Sequence, residues 1–184
     1  MALNLSDLDD VTRRFMLEEL EADVARGCLY LSPYLTDEGR AGYLEILRAA
    51  VLDGTEESFA DKLRRPGSME TPRGWKQSGL VRDLPSTAPD ALAEAEFHRF
   101  YVRGLCRRAI DEGLRTLVIC RAKEAIPARV NADGMVGVQI DAASLLEDLQ
   151  ATSGPMPPRV LNGCPNPGMS VRLPSQEPRA AVGV

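Results

Sequence analysis

Ala95-Glu96-Phe97-His98-Arg99-Phe100-Tyr101-Val102-Arg103-Gly104-Leu105-Cys106-Arg107-Arg108-Ala109-Ile110 is the stretch on which the fold turns. Phe97, Tyr101 and Leu105 recur at i, i+4 and i+8, and Leu92, Phe100 and Ile110 widen the same face. That is the period of a helix with one apolar side. The spacing predicts a helix from about Ala88 to Glu112. Thr87 with Asp90 three residues on resembles a capping box, Pro89 suits the first turn, and Gly113 ends the pattern. Aromatic residues are only 5% of the 184-residue chain, and three of them, Phe97, Phe100 and Tyr101, fall in this segment, so the rest of the core must be built from Leu, Val, Ile and Ala.

Upstream, a first helix is expected from about Asp7 to Arg26, with Ser6 as N-cap, acidic residues at its positive end and Gly27 at its close. Leu8, Val11, Phe15, Leu20 and Val24 define its apolar stripe, Leu17 widens it, and Met16 lies off it. A second helix should follow Thr36, carrying Tyr43, Leu44, Leu47 and Val51, with Gly54 closing it. Thr55 then caps a short third helix through Phe59 and Leu63, which Pro66-Gly67 ends. Residues 66–86 read as an irregular, locally basic loop containing Trp75, the only tryptophan.

Downstream the period changes. Thr116-Leu117-Val118-Ile119-Cys120 reads as a short buried strand. Asp133-Gly134 is a two-residue hairpin signal, and Met135 to Ile140 reads as a second strand. Asp141 caps a short helix carrying Leu145, Leu146 and Leu149. Residues 151–184 hold seven of the thirteen prolines and few large apolar side chains, which predicts an extended arm. The expected architecture is therefore α+β and mainly helical. A body over 1–150 contains a small sheet with a β-hairpin, and a Pro-rich arm over 151–184 would be ordered by a neighbouring subunit.

Composition narrows the chemistry. No apolar run approaches the about 20 residues needed to span a bilayer, so no membrane contact is expected. The acidic N-terminus lacks the basic-then-apolar start of the usual secretory signal. A net charge of -5 argues against a general nucleic-acid binder. Cys28, Cys106, Cys120 and Cys164 form no tight ligand pair, so no metal site is expected. Free thiols are the favoured reading, with an inter-subunit disulfide through Cys28 and Cys164 as the other. His98 is the only histidine and sits inside the helix pattern, where a surface or boundary position is favoured over catalysis. Phosphate-binding glycine loops are absent, and adjacent acidic pairs such as Glu18-Glu19 read as solvated faces. No catalytic residue and no cofactor is assigned, and the chain is not expected to be an enzyme.

Partner contact is the remaining class. Trp75 among arginines fits an interface anchor or, equally, a lid over the helical core. Arg99, Arg103, Arg107 and Arg108 form a basic ridge that would face phosphates or an acidic neighbour, or else pair with Glu94, Glu96 and Asp111 on the same helix. Arg103 and Arg107 are its candidate contact residues. In the arm, Met169, Val171 and Leu173 are candidates for docking into a groove of a partner. A small regulator contacting nucleic acid through the Arg99–Arg108 face is the alternative to a structural subunit.

The run from Ala95 to Ile110, together with Arg14-Phe15-Met16-Leu17-Glu18-Glu19-Leu20-Glu21 and the helix after Asp141, resembles a family of uncharacterised proteins of bacteria and their phages. The resemblance spans much of residues 6–150 and carries no catalytic motif. It implies a phage virion component such as a neck, adaptor or capsid-associated subunit. Its partners would be copies of itself and portal, neck or capsid proteins. Its place would be the virion, assembled in the bacterial cytoplasm.

Overall fold

The structure, a computed structural model, describes residues 3–70, 85–123, 134–152 and 168–174, and the backbone of 76–77 and 80–81. Five helices are described: α1 (Asp10–Arg26), α2 (Asp37–Leu52), α3 (Glu56–Leu63), α4 (Ala88–Asp111) and α5 (Ala142–Ala151). The strands are β1 (Lys76–Gln77), β2 (Leu80–Val81), β3 (Thr116–Arg121), β4 (Gln139–Asp141) and β5 (Met169–Arg172). The fold is α+β and mainly helical, as the periodicity predicts. Among the described residues no helix is long and apolar enough to cross a membrane.

Helix α4 is the hub. It packs on α1, α2, α3 and α5 and touches β3 and β5. Leu92, Phe97, Phe100, Tyr101, Leu105 and Cys106 are all buried on its apolar face, whereas Ile110, expected to extend that face, is exposed at the end of the helix. Tyr43 from α2 and Phe59 from α3 meet beside it with tilted rings 5.8 Å apart. Thr87 makes no side-chain cap, against the capping-box expectation: its backbone, at φ -89° and ψ 2°, is not in the extended state of a capping residue, and the Asp90 side chain pairs with Arg64 instead. The shorter helices follow their caps. Thr36 accepts from Gly39 N, Thr55 and Ser58 cap each other reciprocally, and Asp141 accepts from Ser144 N. Arg13 of α1 closes the other end of α2, donating to the Val51 carbonyl at 2.9 Å and the Gly54 carbonyl at 2.8 Å. Val51 is one of the last carbonyls that a helix C-terminus leaves without an intrahelical partner, and Gly54 lies just beyond the end.

Helix α1 departs from its predicted form twice. It begins at Asp10 with Asp9 as cap, three residues later than expected. Asp7 is occupied elsewhere: its N–H donates to the Tyr101 hydroxyl and its carboxylate accepts from Leu173 N at 3.0 Å. The buried stripe is also rotated. Phe15 and Leu20 are buried as expected, but Thr12, Met16, Glu19 and Asp23 also face inward, whereas Val11 is exposed. Contact with α4 sets this face, since it accepts Met16 at Gly104 and draws two carboxylates inward.

The main sheet has the order β4-β3-β5, with both pairs antiparallel. Leu117 lies opposite Ile140, Ile119 opposite Val171 and Cys120 opposite Ser170. The second strand is shorter than predicted. Met135 to Gly137 form a turn, with Gly137 at φ 89°, a backbone state that favours glycine. Gly134 is in that turn, and Asp133 lies outside the described residues. Within 66–86, Leu35 bridges to Met69 and β1 pairs with β2.

Strand β5 corrects the reading of the C-terminal segment. Composition assigned residues 169–172 to an arm awaiting a neighbour, but they complete the sheet of the same chain. Met169 and Val171 are buried in the core, with Leu173 packed against it. The physical reason is that β3 has a second edge whose backbone groups need partners, and the alternation Met169, Val171 supplies two core side chains in register. The body therefore reaches past residue 150. The rest of the proposed arm, 153–167 and 175–184, lies outside the described residues.

Candidate functional site

The most concentrated polar chemistry lies between α1 and α4. The two helices run antiparallel: Asp9 meets Arg108, Met16 meets Gly104, and Asp23 meets Arg103. On α1, Thr12, Met16, Glu19 and Asp23 repeat every three or four residues and share a face. On α4, Arg99 and Arg103 are one turn apart, and the complementary spacing brings cations onto carboxylates.

Arg103 is fully buried and forks between two acids. Its Nε and Nη2 donate to Glu19 Oε2 at 2.9 and 2.7 Å, and its Nη1 and Nη2 donate to Asp23 Oδ2 and Oδ1 at 2.6 and 2.9 Å. The guanidinium also stands 5.2 Å from the Phe100 ring centre. Gln150 of α5 donates to Glu19 Oε2 at 2.8 Å, tying a third helix to the pair. At the rim, the half-exposed Arg26 and Arg107 approach Asp23 and Glu19. Burial by itself would raise the Asp23 carboxyl, but the hydrogen bonds and charge of Arg103 outweigh it and hold the group below its ordinary value. The same pairing raises Arg103 against the effect of its own burial.

Arg99 continues the cluster. It donates to the Leu149 carbonyl at 3.0 Å and to the Thr152 carbonyl, both at the end of α5, where a cation suits the helix dipole. Glu96, one turn earlier on α4, is also buried. Its carboxyl is pushed up to about 7, first by burial, with Arg99 opposing and the Asp23 charge adding. Tyr43 of α2 lies near enough for the Glu96 charge to raise its phenol further, beyond the effect of burial. Cys28 donates weakly to Asp23 at the cluster edge.

A second contact involves His98. Its Nε2 lies 2.9 Å from the Ser170 hydroxyl, so the only histidine pins α4 to β5. Burial, with a smaller push from the Lys123 ammonium, takes the imidazole down to about 4 and keeps it neutral at physiological pH. A serine against a neutral histidine is the start of a nucleophile-base pair. Ser170, however, is 3% exposed and is not presented to a substrate.

The expected ridge is thus taken apart by the fold. Arg103 is wholly internal, Arg99 is 9% exposed, and Arg108 pairs with Asp9 and Glu112. The main partners come from α1 and α5, and not from Glu94 and Asp111 of the same helix. Arg107 alone of the four keeps a half-exposed side chain. Met169 and Val171 are internal, which takes them away from a partner surface. His98 sits at the boundary, with intermediate exposure, and is bonded to Ser170. Cys28 and Cys120 are half-buried free thiols, and Cys106 is a fully buried one whose thiol is pushed far up by burial. Trp75 and Cys164, hence the proposed Cys28–Cys164 link, lie outside the described residues. Among the described residues no group of three or more potential metal ligands comes together. Glu19, Asp23, Glu96 and Tyr43 were not singled out by the sequence. The available signal was the i, i+4 repeat of acids on one predicted helix and of arginines on another. No family model, curated protein or solved structure matches the chain.

Proposed function

We propose that the protein is a structural subunit that acts through protein–protein contacts, in a phage virion as the resemblance implies. One observation carries this reading. The charged constellation of the molecule is spent on joining α1, α4 and α5 through Arg103, Glu19, Asp23 and Gln150. Arg103, Glu19 and Asp23 satisfy one another there, as suits a scaffold more than a substrate site. The basic face that the nucleic-acid alternative needs is largely used up in the same pairing. A neck, adaptor or capsid-associated role supplies the partners: copies of the chain and a portal or capsid ring.

The test is light scattering of the purified full chain at micromolar concentration, followed by co-sedimentation with assembled portal or capsid rings. Self-assembly or ring binding is the expected result. A strictly monomeric protein that leaves both rings unbound would overturn the proposal, and salt-dependent duplex binding would favour the alternative.

A further inference from the structure

Three carboxylates and two guanidinium groups meet in the core between α1 and α4. Glu19 and Asp23 are held by Arg103, and Arg99 stands beside them. Those two anions and two cations balance. Glu96 is the fifth group, and its charge would be unmatched within the buried set. At the rim the half-exposed Arg26 pairs with Asp23 at 2.8 Å and Arg107 stands 3.6 Å from Glu19, but the cations that act on Glu96 are Arg99 and Arg103. Among the described residues nothing hydrogen-bonds Glu96 Oε1 or the Tyr43 hydroxyl, although both are buried. A buried carboxylate oxygen without a donor is costly when the group is charged, and less so when it is neutral.

We propose that Glu96 is a proton-operated latch, with the bundle closed around its neutral carboxyl and the α2–α4 contact at Tyr43 loosened when the proton leaves. The groups that face it are Asp23 on α1, Tyr43 on α2, Tyr30 in the α1–α2 connection, and Arg99 and Arg103 on α4. Burial dominates over the two arginines, as the raised value near 7 indicates. The folded state therefore binds this proton more tightly than the unfolded chain does. The contribution to stability is complete below about pH 4.5 and is lost as pH rises through about 7. The device stands independently of the assembly reading, since it needs no partner.

Urea unfolding of the full chain at pH 5.5 and 8, for wild type and Glu96→Gln, tests it. Wild type should lose about 25-fold more in folding constant over that interval than the variant does. Equal pH dependence of the two would overturn the latch. A carbon-13 titration of the wild-type glutamate carboxyls gives a second readout that does not depend on the variant folding. One resonance should titrate near pH 7 and be assigned to Glu96, and a midpoint for Glu96 near the ordinary 4.5 would overturn the idea. Amide exchange corrected for intrinsic rate should quicken in α2 around Tyr43 between pH 6 and 8. Unchanged protection there would remove the loosening step.

Discussion

Gly104 on α4 lies directly against Met16 on α1. A β-carbon at position 104 would fall 2.7 Å from Met16 Cγ, 3.0 Å from Met16 N and 3.1 Å from the Thr12 carbonyl oxygen. Two of those atoms are backbone, so α1 itself would have to move. The approach also places Arg103 within reach of both acids on α1.

Gly104→Ala should therefore destabilise the protein, by about 1–3 kcal/mol, although alanine is the better helix former. Gly42 in α2 supplies the control, because a β-carbon there meets nothing within 4 Å. Gly42→Ala should stabilise by up to about 1 kcal/mol. Urea midpoints of the two variants, moving in opposite directions, would check the pair.

Removing one side of the Arg103 fork leaves Glu19 and Asp23 buried and unpaired. Arg103→Met is expected to cost about 3–5 kcal/mol in chemical denaturation. Arg107→Met removes a half-exposed contact of 3.6 Å to the same Glu19 and should cost less than about 1 kcal/mol. Similar losses for both would mean that the fork is not the principal tie between the helices.

The His98 pair sets an acid limit opposite in sign to that of Glu96. Its folded value near 4 lies below the ordinary 6.5, so the unfolded chain takes up the proton first. The stabilising contribution is complete above about pH 6.5 and disappears as pH falls towards 4, a change of about 3 kcal/mol. His98→Gln should flatten thermal stability over that interval, and a proton NMR titration should place the wild-type imidazole well below 6.

Strand β5 should behave as part of the core. Val171, 1% exposed, fills the sheet opposite Ile119. Val171→Ala is expected to cost about 2 kcal/mol through lost burial and the space left behind. Deletion of 168–184 would strip one edge of β3 and should cost more, or abolish cooperative unfolding. A deletion as stable as the full chain would show that β3 does not need this strand.

Periodicity and local chemistry were enough for the helical content. Phe97, Tyr101 and Leu105 announce α4, and Thr36, Thr55 and Asp141 announce the starts of three other helices, because a side-chain cap and an apolar repeat act within a few residues. The strand Thr116–Arg121 was legible for the same reason. The candidate site was not. Glu18-Glu19 looks like any acidic surface pair, and Arg99 to Arg108 looks like a basic stripe, until two helices approach at Gly104 and turn those residues inward. Composition likewise pointed away from β5, whose proline-rich flanks obscure two side chains that alternate correctly for a sheet edge.

Local preference thus determined from the sequence alone where helices and the central strand form, since the forces involved span one or two turns. Tertiary contact decided which face of α1 is inside, where the buried charges balance, and that Met169 and Val171 belong to the body. Those outcomes depend on groups as far apart as Asp7 and Leu173, or Glu19 and Gln150, and desolvation acts only once they meet.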